Sequence, residues 1–287
     1  MSNAIRNLSD FTKFYIETGL ILHKIPKEIA KLTNLTTVYL FGKNKRLLKK
    51  ITKDDLCSIA NSRYTSSKTL LEILSKHKNQ NVRSAVAGNY STSAEVLKEL
   101  ANDKAKDVRQ SVANNSHTPA ESLIKLSREK DEFTRSYAVP NLPESSKEFE
   151  RLSKDESYWV RQSVACKTNN PEILKSLAKD KSKSVRRDVA WNRATSSAVL
   201  KDLAKDADES VRTYLAKNPA TPEDALLFLA TDKEELVRFC VAQNKKVSMK
   251  VTKVLAQDKS RSVRDTAIED RKFSNKTKES LRLLKPK

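Results

Sequence analysis

The chain has 287 residues, of which 38% are hydrophobic, 32% are charged and only 3 are glycine. This composition favours helices over strands and argues against a disordered chain. A net charge of +20, from 56 basic against 36 acidic residues, indicates an anionic partner. Three widely spaced cysteines without a CxxC pair argue against a metal framework or a disulfide scaffold, and fit a reducing cytoplasm.

Residues 1–53 are predicted to form a small N-terminal cap. Within them, residues 25–40 (IPKEIAKLTNLTTVYL) look like one leucine-rich repeat. A single repeat of this kind cannot fold alone, so we expect it to cover the apolar end of the elements that follow. The basic run at residues 43–50 is open to two interpretations, a solvated face or a contact with a polyanion.

A period of about 26 residues dominates the rest of the chain. Eight arginines recur at intervals of 25 or 26 residues: Arg83, Arg109, Arg135, Arg161, Arg186, Arg212, Arg238 and Arg264. A degenerate repeat with Leu56 in the arginine position precedes them. Repeats of this length form stacked supersecondary units. Residues 54–270 are therefore predicted to form an all-α solenoid of about nine two-helix repeats.

Each repeat is predicted to contain two short helices. The first follows a Thr-Pro pair such as Thr118-Pro119 or Thr221-Pro222, with the hydroxyl capping the helix and proline at its first position. The second has the pattern Val-Arg-x-x-Val-Ala and ends at a column of asparagines. We interpret this column as a turn device and not as a site, because asparagine tolerates the left-handed conformation that ends helices: Asn89, Asn115, Asn141, Asn192, Asn218 and Asn244.

An acidic residue stands six positions before the arginine in most repeats. The pairs are Asp103/Arg109, Asp155/Arg161, Asp180/Arg186, Asp206/Arg212, Asp232/Arg238 and Asp258/Arg264. A guanidinium can bind a carboxylate and nearby carbonyl groups together. We therefore interpret these residues as a structural ladder along the stack, not as phosphate ligands.

The repeat pattern resembles the leucine-rich repeat variant family over about residues 54–270, and its Asp-x4-Val-Arg core is similar to HEAT repeats. The stretch Val211 to Pro222 carries the resemblance best. It implies a right-handed superhelix of paired short helices and implies little about function. The family's N-terminal cysteine cluster for iron–sulfur binding has no counterpart here. Residues 271–287 are predicted to form a basic C-terminal cap with a last helix from Lys276 to Leu284.

Charge and aromatic residues suggest where a partner binds. Residues 1–54 carry a net charge of +7, residues 271–287 carry +6, and the repeats between them carry +7. Lysine-bearing loops before the arginines form a broken basic stripe, and aromatic residues occur on the second helices. These aromatics either pack between repeats or line the concave face with cationic neighbours. The candidate binding residues are Tyr137, Trp159, Lys181, Lys183, Arg187, Trp191, Arg193, Tyr214 and Lys217.

Three functions fit these features. The first is a non-catalytic, monomeric scaffold that binds nucleic acid, without a metal, a cofactor or a membrane span; no Walker, GxSxG or HExxH motif occurs. The second is an enzyme similar to HEAT-like alkylpurine DNA glycosylases, which use tryptophans and an acid; Asp188 and Trp191 would supply those groups. The third is a platform for an acidic protein.

Overall fold

The computed structural model describes residues 53–61, 68–269 and 273–284. Within these ranges the chain forms eighteen α-helices and one 3-10 helix, and it contains no β-strand. The predicted N-terminal cap lies outside the described residues except for Lys53, its last residue. None of the described helices combines the length and the apolar character that crossing a membrane requires.

The chain divides into two compact halves, at Pro143 and Glu144. The described helices of the N-terminal half are α1 (Lys53–Asn61), α2 (Lys68–Ser75), α3 (Gln80–Gly88), α4 (Ala94–Leu100), α5 (Lys106–Asn114), α6 (Ala120–Leu126) and α7 (Glu132–Ala138), which the 3-10 helix Val139–Asn141 extends. The helices of the C-terminal half are α8 (Glu148–Leu152), α9 (Tyr158–Lys167), α10 (Pro171–Leu177), α11 (Lys183–Trp191), α12 (Ser197–Leu203), α13 (Glu209–Lys217), α14 (Glu223–Leu229), α15 (Glu235–Gln243), α16 (Met249–Leu255), α17 (Arg261–Ile268) and α18 (Asn275–Arg282).

Within each half, every described repeat contributes one layer to the core, so the chain is an α-solenoid. The odd-numbered helices from α1 to α17, here called the second helices, pack against one another in sequence order within each half. In α11 the two valines of the repeat motif, Val185 and Val189, are completely buried. The shorter first helices supply leucines to the same core, such as Leu200 and Leu203 of α12. Burial of these side chains, each worth about 1.5–3 kcal/mol, makes the stack stable only as an array.

The repeat arginines connect consecutive repeats. Arg212 Nε donates to Asp232 Oδ2 at 2.6 Å, while its Nη1 donates to the backbone oxygen of Asp206 at 2.8 Å. Arg212 thus binds the carboxylate of the following repeat and a carbonyl group of its own repeat. The same arrangement occurs for Arg83 with Asp103, Arg109 with Glu129, Arg161 with Asp180, Arg186 with Asp206 and Arg238 with Asp258.

The asparagine column forms a second ladder, and the predicted left-handed conformation is wrong. Asn218 has φ −71° and ψ 123°, which is extended backbone, and its side chain is fully buried. Its Nδ2 donates to the backbone oxygen of Ala190 at 2.7 Å, while its Oδ1 accepts from the Ala220 amide at 2.8 Å. The asparagine therefore ties the C-terminal end of α13 to that of α11.

The predicted threonine caps are also wrong. Thr221 Oγ1 donates to the backbone oxygen of Leu215 at 2.6 Å, and Thr118 Oγ1 does the same to Val112. Because the hydroxyls are engaged with the preceding helix, α6 and α14 have no side-chain cap, and Pro119 and Pro222 occupy the N-cap position, one residue earlier than predicted. The threonine fixes the turn between the second helix of one repeat and the first helix of the next.

The last helix, α18, begins one residue earlier and ends two residues earlier than the predicted Lys276 to Leu284. Its Leu281 is buried against Ala256 and Ile268. Both Lys278 and Arg282 form ion pairs with Glu269, which holds the pKa of that carboxyl below its ordinary value.

Candidate functional site

One face of the second helices in the C-terminal half remains accessible. Side chains that lie two residues before the repeat arginine, and one, two and five residues after it, share this face because the spacing follows helical turns. Here we call it the exposed stripe. In α11 the stripe includes Arg187 and Trp191, and in α13 it includes Tyr214 and Lys217.

The centre of the exposed stripe is a pair of aromatic side chains from adjacent repeats. Trp191 is 47% exposed and Tyr214 is 36% exposed, and their ring centroids lie 5.9 Å apart in an edge-to-face arrangement. The guanidinium of Arg187 lies 5.1 Å from the Tyr214 ring centroid, and Lys217 Nζ lies 6.0 Å from it. Two cations therefore share the tyrosine ring, and Trp191 is the more exposed of the two aromatic residues.

A buried carboxylate underlies this cluster. Asp188 is only 8% exposed, and it accepts hydrogen bonds from Gln162 Nε2 at 2.7 Å, Cys166 Sγ at 3.3 Å and Arg187 Nε at 2.9 Å. The bond to Asp188 raises the pKa of Arg187, which stays charged. Desolvation of the thiol, and then the Asp188 charge, raises the pKa of Cys166 to about 12, which disfavours the reactive thiolate although the residue as a whole is exposed.

The other predicted aromatics lie on the surface in separate places. Trp159 is exposed at the start of α9, where its ring stacks on Tyr158 with centroids 4.7 Å apart. Tyr137 is exposed at the end of α7, in the N-terminal half. Of the predicted binding residues, the cluster therefore contains Arg187, Trp191, Tyr214 and Lys217.

The predicted basic loops carry acids as well as lysines. Lys183 Nζ lies 3.1 Å from Asp208 Oδ2, and Lys233 Nζ lies 3.8 Å from Glu234 Oε1. Arg261 pairs with Asp265 at 3.3 Å. Lys181 and Arg193 are both exposed, the first before α11 and the second after it. The positive charge of these loops is thus partly neutralised.

Sequence reasoning missed the contacts of Gln162 and Cys166 with Asp188. The spacing offered a signal, because Gln162 and Asp188 stand 26 residues apart and so occupy neighbouring positions on adjacent second helices. In the described ranges, no group of three His, Cys, Asp or Glu side chains could hold a metal ion.

Comparison with known proteins bears on the fold alone. No protein-family model and no curated protein matches the chain. Among solved structures, a leucine-rich repeat variant with a repetitive structural motif is similar to it, with a TM-score of 0.55 and 22% identity, covering 80% of this chain and 95% of the other. The expected resemblance to leucine-rich repeat variants is therefore confirmed at the level of fold.

Two further structures have lower scores. The YibA protein of E. coli matches with a TM-score of 0.38 and 19% identity, over 80% of this chain and 96% of that one. A designed armadillo repeat protein in complex with the peptide (KR)4 matches with a TM-score of 0.30 and 16% identity, over 72% of this chain and 95% of that one. Likenesses this low carry no argument about the binding partner of this chain.

Proposed function

We propose that the chain is a non-catalytic repeat scaffold that binds nucleic acid through the exposed stripe of its C-terminal half. The observation that carries this proposal is the exposed Trp191–Tyr214 pair with Arg187 and Lys217 beside it. Aromatic rings next to cations stack on bases and contact phosphates, whatever the base sequence.

The packing of the repeats does not account for this cluster. The core of α11 is complete with Val185 and Val189, and Trp191 leaves nearly half of its surface in water. The positions equivalent to Trp191 in the neighbouring helices hold Cys166 and Lys217, so the repeat does not require an aromatic residue there. A net charge of +20 adds long-range attraction for a polyanion.

A glycosylase activity is not favoured by the surroundings of Asp188. Its carboxylate is buried and receives three hydrogen bonds, one of them from the Arg187 guanidinium. A positive charge already balances this acid, so it offers little to a cationic damaged base. The binding scaffold therefore remains the function that the described residues support best.

The test is binding of fluorescently labelled DNA and RNA, single-stranded and double-stranded, across a salt series. We expect binding at low salt that weakens steeply as salt rises, because cations released from the phosphates drive it. Trp191→Ala should weaken binding, whereas Tyr90→Ala, which removes an exposed aromatic residue of the N-terminal half, should not. If the wild type binds no nucleic acid at low salt, the proposal fails and an acidic protein becomes the better candidate.

A further inference from the structure

A row of cations follows the C-terminal ends of four second helices. It comprises Lys167 at the end of α9, Arg193 after α11, Lys217 at the end of α13, and both Lys245 and Lys246 after α15. Four of the five are exposed, and Lys167 is half-buried. Here we call this row the C-terminal edge.

The asparagine ladder makes the C-terminal edge continuous. Asn192 donates to the backbone oxygen of Ala165 at 2.7 Å, Asn218 to that of Ala190 at 2.7 Å, and Asn244 to that of Ala216 at 2.6 Å. Each bond joins the end of one second helix to the end of the preceding one. The cations therefore lie side by side, at one or two per repeat.

The C-terminal edge differs from the opposite edge in its lack of acids. The loops that form it, residues 166–170, 191–197, 217–222 and 243–249, contain five basic residues and no Asp or Glu. Among the described residues, none of the five cations has a carboxylate within 4.0 Å. At the N-terminal ends of the same helices, acids such as Asp208 and Glu234 accompany the lysines. Of the two ends of these four helices, only the C-terminal edge offers a polyanion positive charge without acids beside it.

The aromatic cluster lies at the same end of the helices. Trp191 is the last residue of α11, two positions before Arg193, and Lys217 both ends α13 and approaches the Tyr214 ring. A strand whose phosphates follow the C-terminal edge would bring its bases next to Trp191. Single-strand binding proteins combine a positive track with aromatic stacking of this kind.

The packing of the helices disfavours a duplex. An α-helix is about 10–12 Å wide and fills a major groove about 12 Å wide. Both α11 and α13 have packed helices on either side, so neither can enter the groove. The bases of a duplex are also stacked on one another, which leaves no base face for Trp191.

We propose that the partner is a single-stranded nucleic acid whose phosphates contact the C-terminal edge while its bases stack on Trp191. This inference rests on the proposed function and refines it. Of the candidate binding residues, it assigns the phosphate contacts to Arg193 and Lys217 instead of Lys181 and Lys183. It adds Lys245, which the sequence analysis did not single out.

Two matched charge reversals test the inference. Arg193→Glu with Lys245→Glu changes the C-terminal edge, and Lys181→Glu with Lys233→Glu changes the N-terminal ends of the same two repeats. All four side chains are exposed, and both double variants lower the net charge equally. Binding of labelled 20-mer single-stranded DNA and RNA, and of the same DNA as a duplex, is measured by anisotropy across a salt series, after circular dichroism confirms folding.

We expect the C-terminal edge variant to raise the single-strand Kd about tenfold or more and to reduce the salt slope by about 1.4, since each phosphate contact contributes about 0.7. The control variant should keep the wild-type slope, and the duplex should bind more weakly than the single strand. Equal weakening in both variants, unchanged binding in both, or preference for the duplex overturns the inference while the proposed function stands. Absence of any binding by the wild type refutes both.

Discussion

The arginine ladder makes a strong prediction about stability, for which Arg212→Ala is the best test. Arg212 is 6% exposed and forms four hydrogen bonds, two to the Asp232 carboxylate and two to the backbone oxygens of Asp206 and Ala207. The substitution removes all four bonds. Among the contacts described for the Asp232 carboxylate, the 2.9 Å bond from the backbone amide of Glu234 is unaffected.

The expected cost follows from the burial of the pair. The side chains of Arg212 and Asp232 are 7% and 5% exposed, so removal of the guanidinium leaves a carboxylate without its countercharge in a site that water barely reaches. Breaking a buried pair in this way costs about 3–5 kcal/mol. The control is Lys201→Ala, which breaks the exposed pair with Asp224 and should leave the unfolding midpoint close to that of the wild type.

The measurement is urea unfolding followed by circular dichroism at 222 nm, together with hydrogen exchange of the amides in α13 and α14. Hydrogen exchange is included because a repeat array can unfold in parts. We expect a lower midpoint and a local loss of protection in Arg212→Ala, with nucleic-acid binding retained under folding conditions. If Arg212→Ala unfolds like the wild type but no longer binds, the ladder arginines are ligand contacts and the structural interpretation is wrong.

Three further predictions concern individual side chains. Asn218→Gly should lower the free energy of unfolding in urea by about 2 kcal/mol, because it removes the hydrogen bonds of a buried side-chain amide. Unchanged stability would favour a left-handed turn at this position, which glycine would adopt without strain. Mass spectrometry should show that Cys166 reacts slowly with iodoacetamide at pH 8. The reaction should be faster in Asp188→Asn, because loss of the Asp188 charge lowers the pKa of the thiol. Equal rates in the two proteins would contradict this prediction. Burial raises the pKa of Asp131, but hydrogen bonds from Gln110 and from the first turn of α7 lower it to about 2, so its stabilising effect should be lost as pH falls from about 4 to about 2. Between about pH 4 and about pH 2, the melting temperature should therefore fall less in Asp131→Asn than in the wild type. An equal fall in both proteins would refute the assignment.

The solenoid could be predicted from the sequence because its period is repeated at nearly constant length. The same period does not determine which acid each arginine binds, because every acid has one arginine before it and one after it at nearly constant spacing. Asp206 stands six residues before Arg212 and twenty after Arg186, and only the structure shows that its carboxylate binds Arg186 while its carbonyl group binds Arg212. A periodic sequence specifies the members of a ladder without specifying which repeat supplies the partner.

The asparagine and threonine predictions failed for a related reason. Local rules assign Asn218 to a left-handed turn and Thr221 to a helix cap, because both are common uses of those side chains near helix ends. In a stack, carbonyl groups of the preceding helix or repeat lie within reach and compete for the same side chains. The contacts of Asn218 with Ala190, 28 residues earlier, could be found only in three dimensions.

The sequence alone also did not decide whether the aromatic side chains are buried between repeats or exposed. Position within the repeat carried some information, since Trp191 aligns with Cys166 and Lys217, and Tyr214 aligns with Asp188. The exposed Lys217 at the position of Trp191 indicates a face in contact with water, whereas Asp188 at the position of Tyr214 is buried, so alignment alone does not decide the exposure of Tyr214. The edge-to-face contact of Trp191 with Tyr214 and the ion pair of Arg187 with Asp188 depend on the distance between adjacent helices, which no sequence pattern gives.

The most direct test of the binding surface uses tryptophan fluorescence. The chain has two tryptophans, so Trp159→Phe leaves Trp191 as the single reporter. If bases stack on Trp191, titration with single-stranded DNA at low salt should quench its emission, and added salt should restore it at the concentrations that reverse binding in anisotropy. Binding in anisotropy without any change in Trp191 emission would place the nucleic acid elsewhere on the protein and contradict the account.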